Sequence, residues 1–364
     1  MRKLLFRLIC SFCVLIFFSN AIAGTTQYII DTDMGFDDWA AVLYLLKQPV
    51  QIDAITIDCQ GETFCPEGAF NAAELTHLVK RPVPIALGES RPKSPYDFPM
   101  LIRHFATSMS VSDFNFLNQD RDVIKQSAAQ IIFQNLITAA KNHQHVAIIS
   151  IGTATNIADA WKLAVSENKT AEFKQGLEMI YKGGGAFGKV VDHHITNTSI
   201  PGNITIPGML ESKNTSAEWN IYANAPAMQT VLSAKLPVTF IPDNASDAIT
   251  MTQAIYNTLY NTSTPNSPKR FVANAMDGTV SLQGGWKHIA SNLDFWDTST
   301  TVAALHHNIV TEQFSHVPVS VVLQPGNHYG ETMVNAKNTN DTVTVDYQLN
   351  KKLFYQLMES GLSK

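Results

Sequence analysis

Cysteine is scarce in this chain. Of four cysteines, Cys10 and Cys13 fall in the N-terminal segment, which leaves Cys59 and Cys65, six residues apart. Two thiols make no disulfide framework, even in an oxidising compartment, and the expectation is a pair of isolated buried thiols. Long apolar runs are lacking too. Past residue 23 nothing approaches the ~20 apolar residues of a membrane-spanning helix. Basic charge is in deficit, with 26 Lys and Arg against 31 Asp and Glu, a net −5. An acidic chain is poorly suited to nucleic acid or an anionic membrane as partner. No charge run, internal repeat or low-complexity tract is present, so nothing reads as a tail, linker or repeat array. Two site signatures are also missing. No H-E-x-x-H spacing offers a zinc site, and "KGGGAFG" (182–188) lacks the spacing and the downstream acid of a dinucleotide site.

What is present begins with "MRKLLFRLICSFCVLIFFSNAIAG". Arg2, Lys3 and Arg7 precede a short apolar stretch and a small-residue pattern ending at Ala23. This is the form of a secretory signal peptide over residues 1–23, cleaved after Ala23. It places the mature protein in a periplasm or outside the cell, with no stable membrane association afterwards. Loss of its three basic residues moves the net charge from −5 to −8. Residues 24–364 then fit one large domain. Asn197, Asn203, Asn214 and Asn261 head N-x-Ser/Thr triplets, which matter only in a cell that glycosylates. A homo-oligomer remains open.

β-rich apolar runs lie at 27–31, 52–57, 146–151, 177–181, 238–241 and 317–323. Helical patterns at 37–48, 69–80, 124–141, 155–166 and 226–234 fall between several of them. The alternation predicts an α/β domain with a mostly parallel, doubly wound central sheet. Residues 186–216 and 242–296 are rich in Gly, Pro, Asn, Ser and Thr and read as long surface insertions.

The first strand ends in a crowd of carboxylates. "YIIDTDMGFDDWAAVLYLL" (28–46) places Asp31, Asp33, Asp37 and Asp38 within eight residues. Like charges so close repel. Capping a helix uses one or two acids, not four. Hard oxygen donors at a turn beyond a strand end suit Ca²⁺ or Mg²⁺, whose charge offsets the repulsion.

"IIDTDMGFDDWAA" resembles the aspartate motif of the nucleoside hydrolases, DTDPGxDDxxA, with Met34 where Pro is usual. Further matches follow in that family's order: "AIISIGTATNIADAW" (147–161), "GGGAF" (183–187), "PGNI" (201–204), "NTSAEWNIYANAPAM" (214–228) and "DFWDTSTTVAAL" (294–305). The resemblance implies a parallel-sheet domain holding one Ca²⁺ and hydrolysing the N-glycosidic bond of a small-molecule ribonucleoside. By the same resemblance Asp33, Asp38, Asp297 and the backbone carbonyl of Thr155 hold the ion, and Asp33 is also general base. Asp37, Asn203, Glu218 and Asn220 contact the sugar, while Asp31 stands behind the ligands and orients them.

Departures point to a branch. Trp296 stands where many members carry a leaving-group His, and with "AEWNIY" this resembles the purine-specific inosine–adenosine–guanosine branch. There Trp296 stacks on the base, and a cation–π term favours the protonated purine. Glu62 follows Gly61 where Asn is usual, and the resemblance gives it a ribose contact. Phe98, Phe105 and Phe114 lie in the region that would supply a second aromatic, with no choice among them. Two other readings stand beside this one: a non-catalytic nucleoside-binding protein on the same scaffold, and a Mg²⁺-dependent aspartyl phosphohydrolase.

Overall fold

The computed structural model describes residues 26–91, 94–108, 123–199, 202–204, 212–282, 284–287, 293–334 and 343–364. The signal peptide assigned to 1–23 lies outside them. Eight strands build the central sheet: β1 (Gln27–Thr32), β2 (Gln51–Ile57), β3 (Ile85–Leu87), β4 (Val146–Ser150), β5 (Leu177–Gly183), β8 (Val238–Ile241), β9 (Val310–Ser315) and β12 (Val343–Leu349). A hairpin of β6 (Gly188–Val191) and β7 (His194–Ser199) stands apart, as does the pair β10 (Val319–Val321) and β11 (Thr332–Val334). The order across the central sheet is β3-β2-β1-β4-β5-β8-β12-β9. Only the β12–β9 pairing is antiparallel. The expected mostly parallel α/β domain is therefore found.

Both sheet faces are covered. Successive residues point to opposite faces of a strand, and Ile29 and Ile30 of β1 enter two different hydrophobic cores, as do Ile148 and Ile149 of β4. On the Ile30 side pack α1 (Asp38–Leu46), α2 (Glu67–Leu78) and later helices of the chain. Next in the chain comes α3 (Met100–Ser108), whose Met100, Leu101 and Phe105 are exposed. On the Ile29 side pack α4 (Ala128–Lys141), α5 (Thr155–Ser166), α6 (Thr170–Gly176), α7 (Trp219–Ala223) and α8 (Ala225–Ser233). After α9 (Asp243–Ser246), the chain returns to the Ile30 side with α10 (Gln253–Asn261), α11 (Pro268–Leu282), α12 (Trp296–Leu305) and α13 (Lys351–Ser363).

One expectation is corrected. The stretch 242–296 is not a surface insertion: α11 buries Phe271, Val272, Ala273, Met276 and Val280 at helical spacing, and Phe271 stacks on Trp39 of α1 at 5.3 Å. Its many polar residues conceal that narrow apolar stripe. The other stretch, 186–216, contains the β6–β7 hairpin. The run 317–323 supplies β10, outside the central sheet, whereas β9 and β12 complete that sheet. β9 alternates half-buried and exposed residues along its length, as suits an edge strand.

From β1 the sheet proceeds to β2 and β3 on one side and to β4 and β5 on the other. This reversal opens a crevice at the carboxyl ends of β1 and β4, where open α/β sheets bind ligands.

Candidate active site

The crevice is lined by carboxylates that the chain has packed tightly. Past β1, Met34 turns with φ 55°, a conformation closed to proline, and its amide donates to Thr32 Oγ1 (3.0 Å) and Asp38 Oδ1 (3.2 Å). Asp37 precedes α1 and Asp38 begins it. The amide of Asp297, at the start of α12, donates to Asp37 Oδ2 (3.0 Å). Asp37, Asp38 and Asp297 thereby bring one carboxylate oxygen each to within 4.8 Å of one another, and all three side chains are buried. Asp33 stands beside them, with Oδ2 accepting the Glu62 amide at 2.7 Å. The loop carrying Glu62 closes over Asp33 so tightly that a Cβ on Gly61 would lie 2.0 Å from Asp33 Oδ2. A Cβ on Gly35 would meet Glu62 Oε2 at 2.2 Å and Asp38 Oδ2 at 3.0 Å, so these two carboxylates meet over the turn.

Electrostatics confirm the crowding. Burial first, then repulsion from Asp38 and Glu62, holds Asp33 well above the usual carboxylate range. Burial and then Asp38 push Asp37 up to about 7. Burial, with Asp37 and Asp38, raises Asp297 well above its ordinary value, and burial followed by the same two acids does so for Glu62. Converging, buried, hard oxygen donors of one sign fit a divalent cation, whose charge would offset their mutual repulsion and favour the ionised carboxylates.

The remaining sequence candidates divide. Asp31 is fully buried and accepts from Thr56 Oγ1 (2.7 Å) and Asn156 Nδ2 (2.8 Å), so its hydrogen bonds go to β2 and α5. Burial, then the Asp58 charge, pushes it up to about 8. Thr155 occupies the first turn of α5. A carbonyl there runs along the helix axis towards the amide four residues on. The hydroxyl of Thr155 meets Thr153 Oγ1 (2.5 Å) and Asn224 Nδ2 (2.8 Å). The carbonyl at the end of β4 that meets a site side chain is that of Ile151, 3.0 Å from Asn220 Nδ2. Glu218 and Asn220 do not share an extended segment, because Glu218 caps α7. The Glu218 carboxylate accepts the amides of Asn220 (2.7 Å), Ile221 (3.0 Å) and Gly185 (3.2 Å). Asn203 joins them by accepting the Trp219 amide at 2.9 Å. Trp296 is half-buried, edge-on to Phe36 with centroids 6.1 Å apart. Phe98 stacks on Trp219 at 4.8 Å, Phe105 is exposed on α3, and Phe114 lies outside the described residues.

Three features escaped sequence reasoning. Asp58, at the end of β2, is buried and bonded to the Thr153 hydroxyl and the Gln60 amide (2.9 Å). An acid just past a strand end is the signal that would have found it. Lys182 is fully buried in β5, and its ammonium donates to the carbonyls of Gly183 and Gly152 (2.8 Å). Burial lowers its pKa, against the pull of Glu218, Asp297 and Asp33. A lysine inside an apolar strand was its only trace.

The third feature corrects an expectation: Cys59 and Cys65 are not free thiols but a disulfide. It clasps the loop that bears Glu62, which Arg103 also pins through the carbonyls of Cys59 (3.2 Å) and Thr63 (2.7 Å). Replacing both cysteines by serine is expected to cost about 2 kcal/mol of stability, with a lower Tm and a several-fold loss of turnover as the loop slackens over Asp33. Thermal melts and kinetics of the double variant check this; an unchanged kcat would mean that Arg103 alone holds the loop.

A family model described as inosine-uridine preferring nucleoside hydrolase matches residues 28–356. Nucleoside hydrolase 3 of Arabidopsis thaliana is 26% identical over 286 residues, covering 67% of this chain and 30% of the relative. Nucleoside hydrolase 4 of the same plant is 26% identical over 296 residues, covering 70% of this chain and 49% of the relative. The chain thus spans half or less of the length of these relatives. A purine-preferring ribonucleoside hydrolase from Gardnerella vaginalis shares the fold, with a TM-score of 0.72 at 21% identity over 93% of this chain and 98% of that one.

Proposed function

The chain belongs to the inosine-uridine preferring nucleoside hydrolase family, and from that premise we propose that it is an exported, Ca²⁺-dependent ribonucleoside hydrolase that frees the base from purine ribonucleosides. The observation that carries the reading is the convergence of Asp37, Asp38 and Asp297 beside Asp33 at the β1–β4 crevice. Asp33, Asp38 and Asp297 would hold the ion through their carboxylates, with Asp37 beside them. The Thr155 carbonyl would join them, and the Ile151 carbonyl at the end of β4, which accepts from Asn220 Nδ2, is the alternative main-chain oxygen. When bound, the cation would acidify the reacting water and offset the carboxylate charge.

Asp33 takes the proton from that water. Its Oδ2 is held by the Glu62 amide, which fixes the carboxylate for this task. Oxygen then bonds to the anomeric carbon, the carbon–nitrogen bond breaks, and its electron pair leaves with the base. The buried acids stabilise the positive charge that develops on the sugar. Asp37, Glu62, Asn203, Glu218 and Asn220 contact ribose hydroxyls. Trp296 stacks against the purine and favours its protonation by solvent at N7. Export rests on the N-terminal segment; among the described residues no helix is long and apolar enough to cross a membrane.

Product analysis of the mature chain with inosine, adenosine, guanosine, uridine and cytidine tests this. Free base and ribose are expected from the purine nucleosides, with uridine slower by about tenfold or more. Equal rates on uridine and inosine would reject the purine preference. Phosphate release from a nucleotide without base release would replace the reading with a phosphohydrolase, and tight binding without turnover with a binding protein.

A further inference from the structure

The stacking tryptophan is held by a device that its own sequence neighbours do not reveal. Beyond the carboxyl end of β8 the chain passes through α9, ends that helix at Asp247, and then runs alongside the residues that lead into α12. The two segments are zipped together. The Phe295 amide donates to the Ile249 carbonyl (2.9 Å), the Met251 amide to the Leu293 carbonyl (2.7 Å), and Thr250 bridges Asp294 in antiparallel register. One step further along, the ladder continues through side chains: Trp296 Nε1 donates to Asp247 Oδ1 at 2.8 Å.

The other side of the indole meets Phe36, which immediately precedes Asp37. The next residue after the tryptophan, Asp297, gives its amide to Asp37. The ring is therefore tied at its N–H edge to the β8 side of the crevice and at its flank to the acidic turn.

We propose that Asp247 is a positioning residue for leaving-group activation: its carboxylate fixes the orientation of the Trp296 indole against which a departing purine stacks. The inference rests on the stacking role proposed above for Trp296. An indole has one polar group, a donor, and its ring torsion sits in a broad well. Without a fixed acceptor the half-buried ring is free to turn about that torsion. Asp247, itself exposed, supplies the acceptor without taking up space in the crevice. Its negative charge at the N–H edge also polarises the ring, as hydrogen bonding polarises its partners, and makes the π-face a better neighbour for a purine that becomes cationic on protonation. The substrate class that gains is a nucleoside whose base leaves as the protonated purine.

The test compares Asp247→Ala, Asp247→Asn, Trp296→Ala and the Asp247→Ala/Trp296→Ala pair in the full mature chain with Ca²⁺. Each is assayed on inosine and on p-nitrophenyl riboside, whose leaving group needs no protonation. Asp247→Ala is expected to lower kcat for inosine by about 2- to 10-fold with little change in KM, and to cost much less on p-nitrophenyl riboside. Asp247→Asn, whose amide oxygen still accepts the indole N–H but carries no charge, should recover only part of the loss, and what remains should again fall on inosine and not on p-nitrophenyl riboside. In the paired variant Asp247→Ala should add nothing to Trp296→Ala. Equal losses on the two substrates, or full additivity in the pair, overturn the proposal. A loss in Trp296→Ala with none in Asp247→Ala defeats this inference alone, whereas no loss in Trp296→Ala defeats the stacking role and the inference together. Melting curves show whether any variant has lost its fold, and Asp247→Asn carries the test if Asp247→Ala has.

Discussion

Replacing Asp33 by alanine is expected to lower kcat by about a thousandfold or more, since it removes the group proposed to take the proton from the attacking water. Asparagine at this position is the sharper test. An amide oxygen can still accept the Glu62 amide that Asp33 Oδ2 accepts at 2.7 Å, so the clasped loop keeps its place. The amide has no basicity, and the loss of turnover should match that of alanine. Asp37, Asp38 and Asp297 still converge without Asp33, so Asp33→Asn should keep measurable Ca²⁺ affinity by calorimetry. That separation of turnover from ion binding distinguishes loss of the base from loss of the ion. Retained turnover in Asp33→Asn would assign the proton to another group, and Glu62 and Asp37 would be the next to replace.

Stripping the cation should have an effect of similar size on turnover and a distinct one on stability. Between the unfolded carboxylate value near ~4 and the raised values of about 7 for Asp37 and about 8 for Asp31, the folded chain binds more protons than the unfolded one. Its stability therefore falls as pH rises through that window. In chelator, Tm should decline from about pH 5 to pH 8. With saturating Ca²⁺ the clustered carboxylates are held ionised, so the part of the decline owed to Asp37 should vanish while the part owed to Asp31 stays, and the gap at pH 8 should reach roughly 5 °C. Turnover should disappear with chelation and return with Ca²⁺. Identical melting curves at pH 8 with and without Ca²⁺ would remove the ion from the acidic cluster.

How much of this was legible in advance follows from distance along the chain. Asp31, Asp33, Gly35, Asp37 and Asp38 could be read together because they lie on one strand end, turn and helix start, and four acids in such a space are hard to explain without a ligand. The alternation of apolar runs and helical patterns was enough for a mostly parallel α/β sheet, since strands buried on both faces need little beyond their own hydrophobicity. Asp297 was tied to that turn only by resemblance; the structure brings it there through the amide that it lends to Asp37.

The rest depended on partners far away in sequence. β9 and β12 are too polar to stand out and become strands by pairing with each other and, for β12, with β8. The apolar stripe of α11 has meaning only against Trp39. Cys59 and Cys65 are six residues apart either way, and only the closed loop over Asp33 makes them a clasp. Glu218 and Asn220 looked like neighbours on an extended segment until three backbone amides, one from Gly185, turned the glutamate into a helix cap. Asp247 and Trp296 are 49 positions apart and carry no shared motif. The sequence by itself determined the chemistry available at the first strand's end, because those groups are bound to adjacent atoms of one chain. Which backbone oxygen, which lysine and which aspartate surround them was decided by the tertiary structure, because packing, not covalent order, brings those strands and loops to the same crevice.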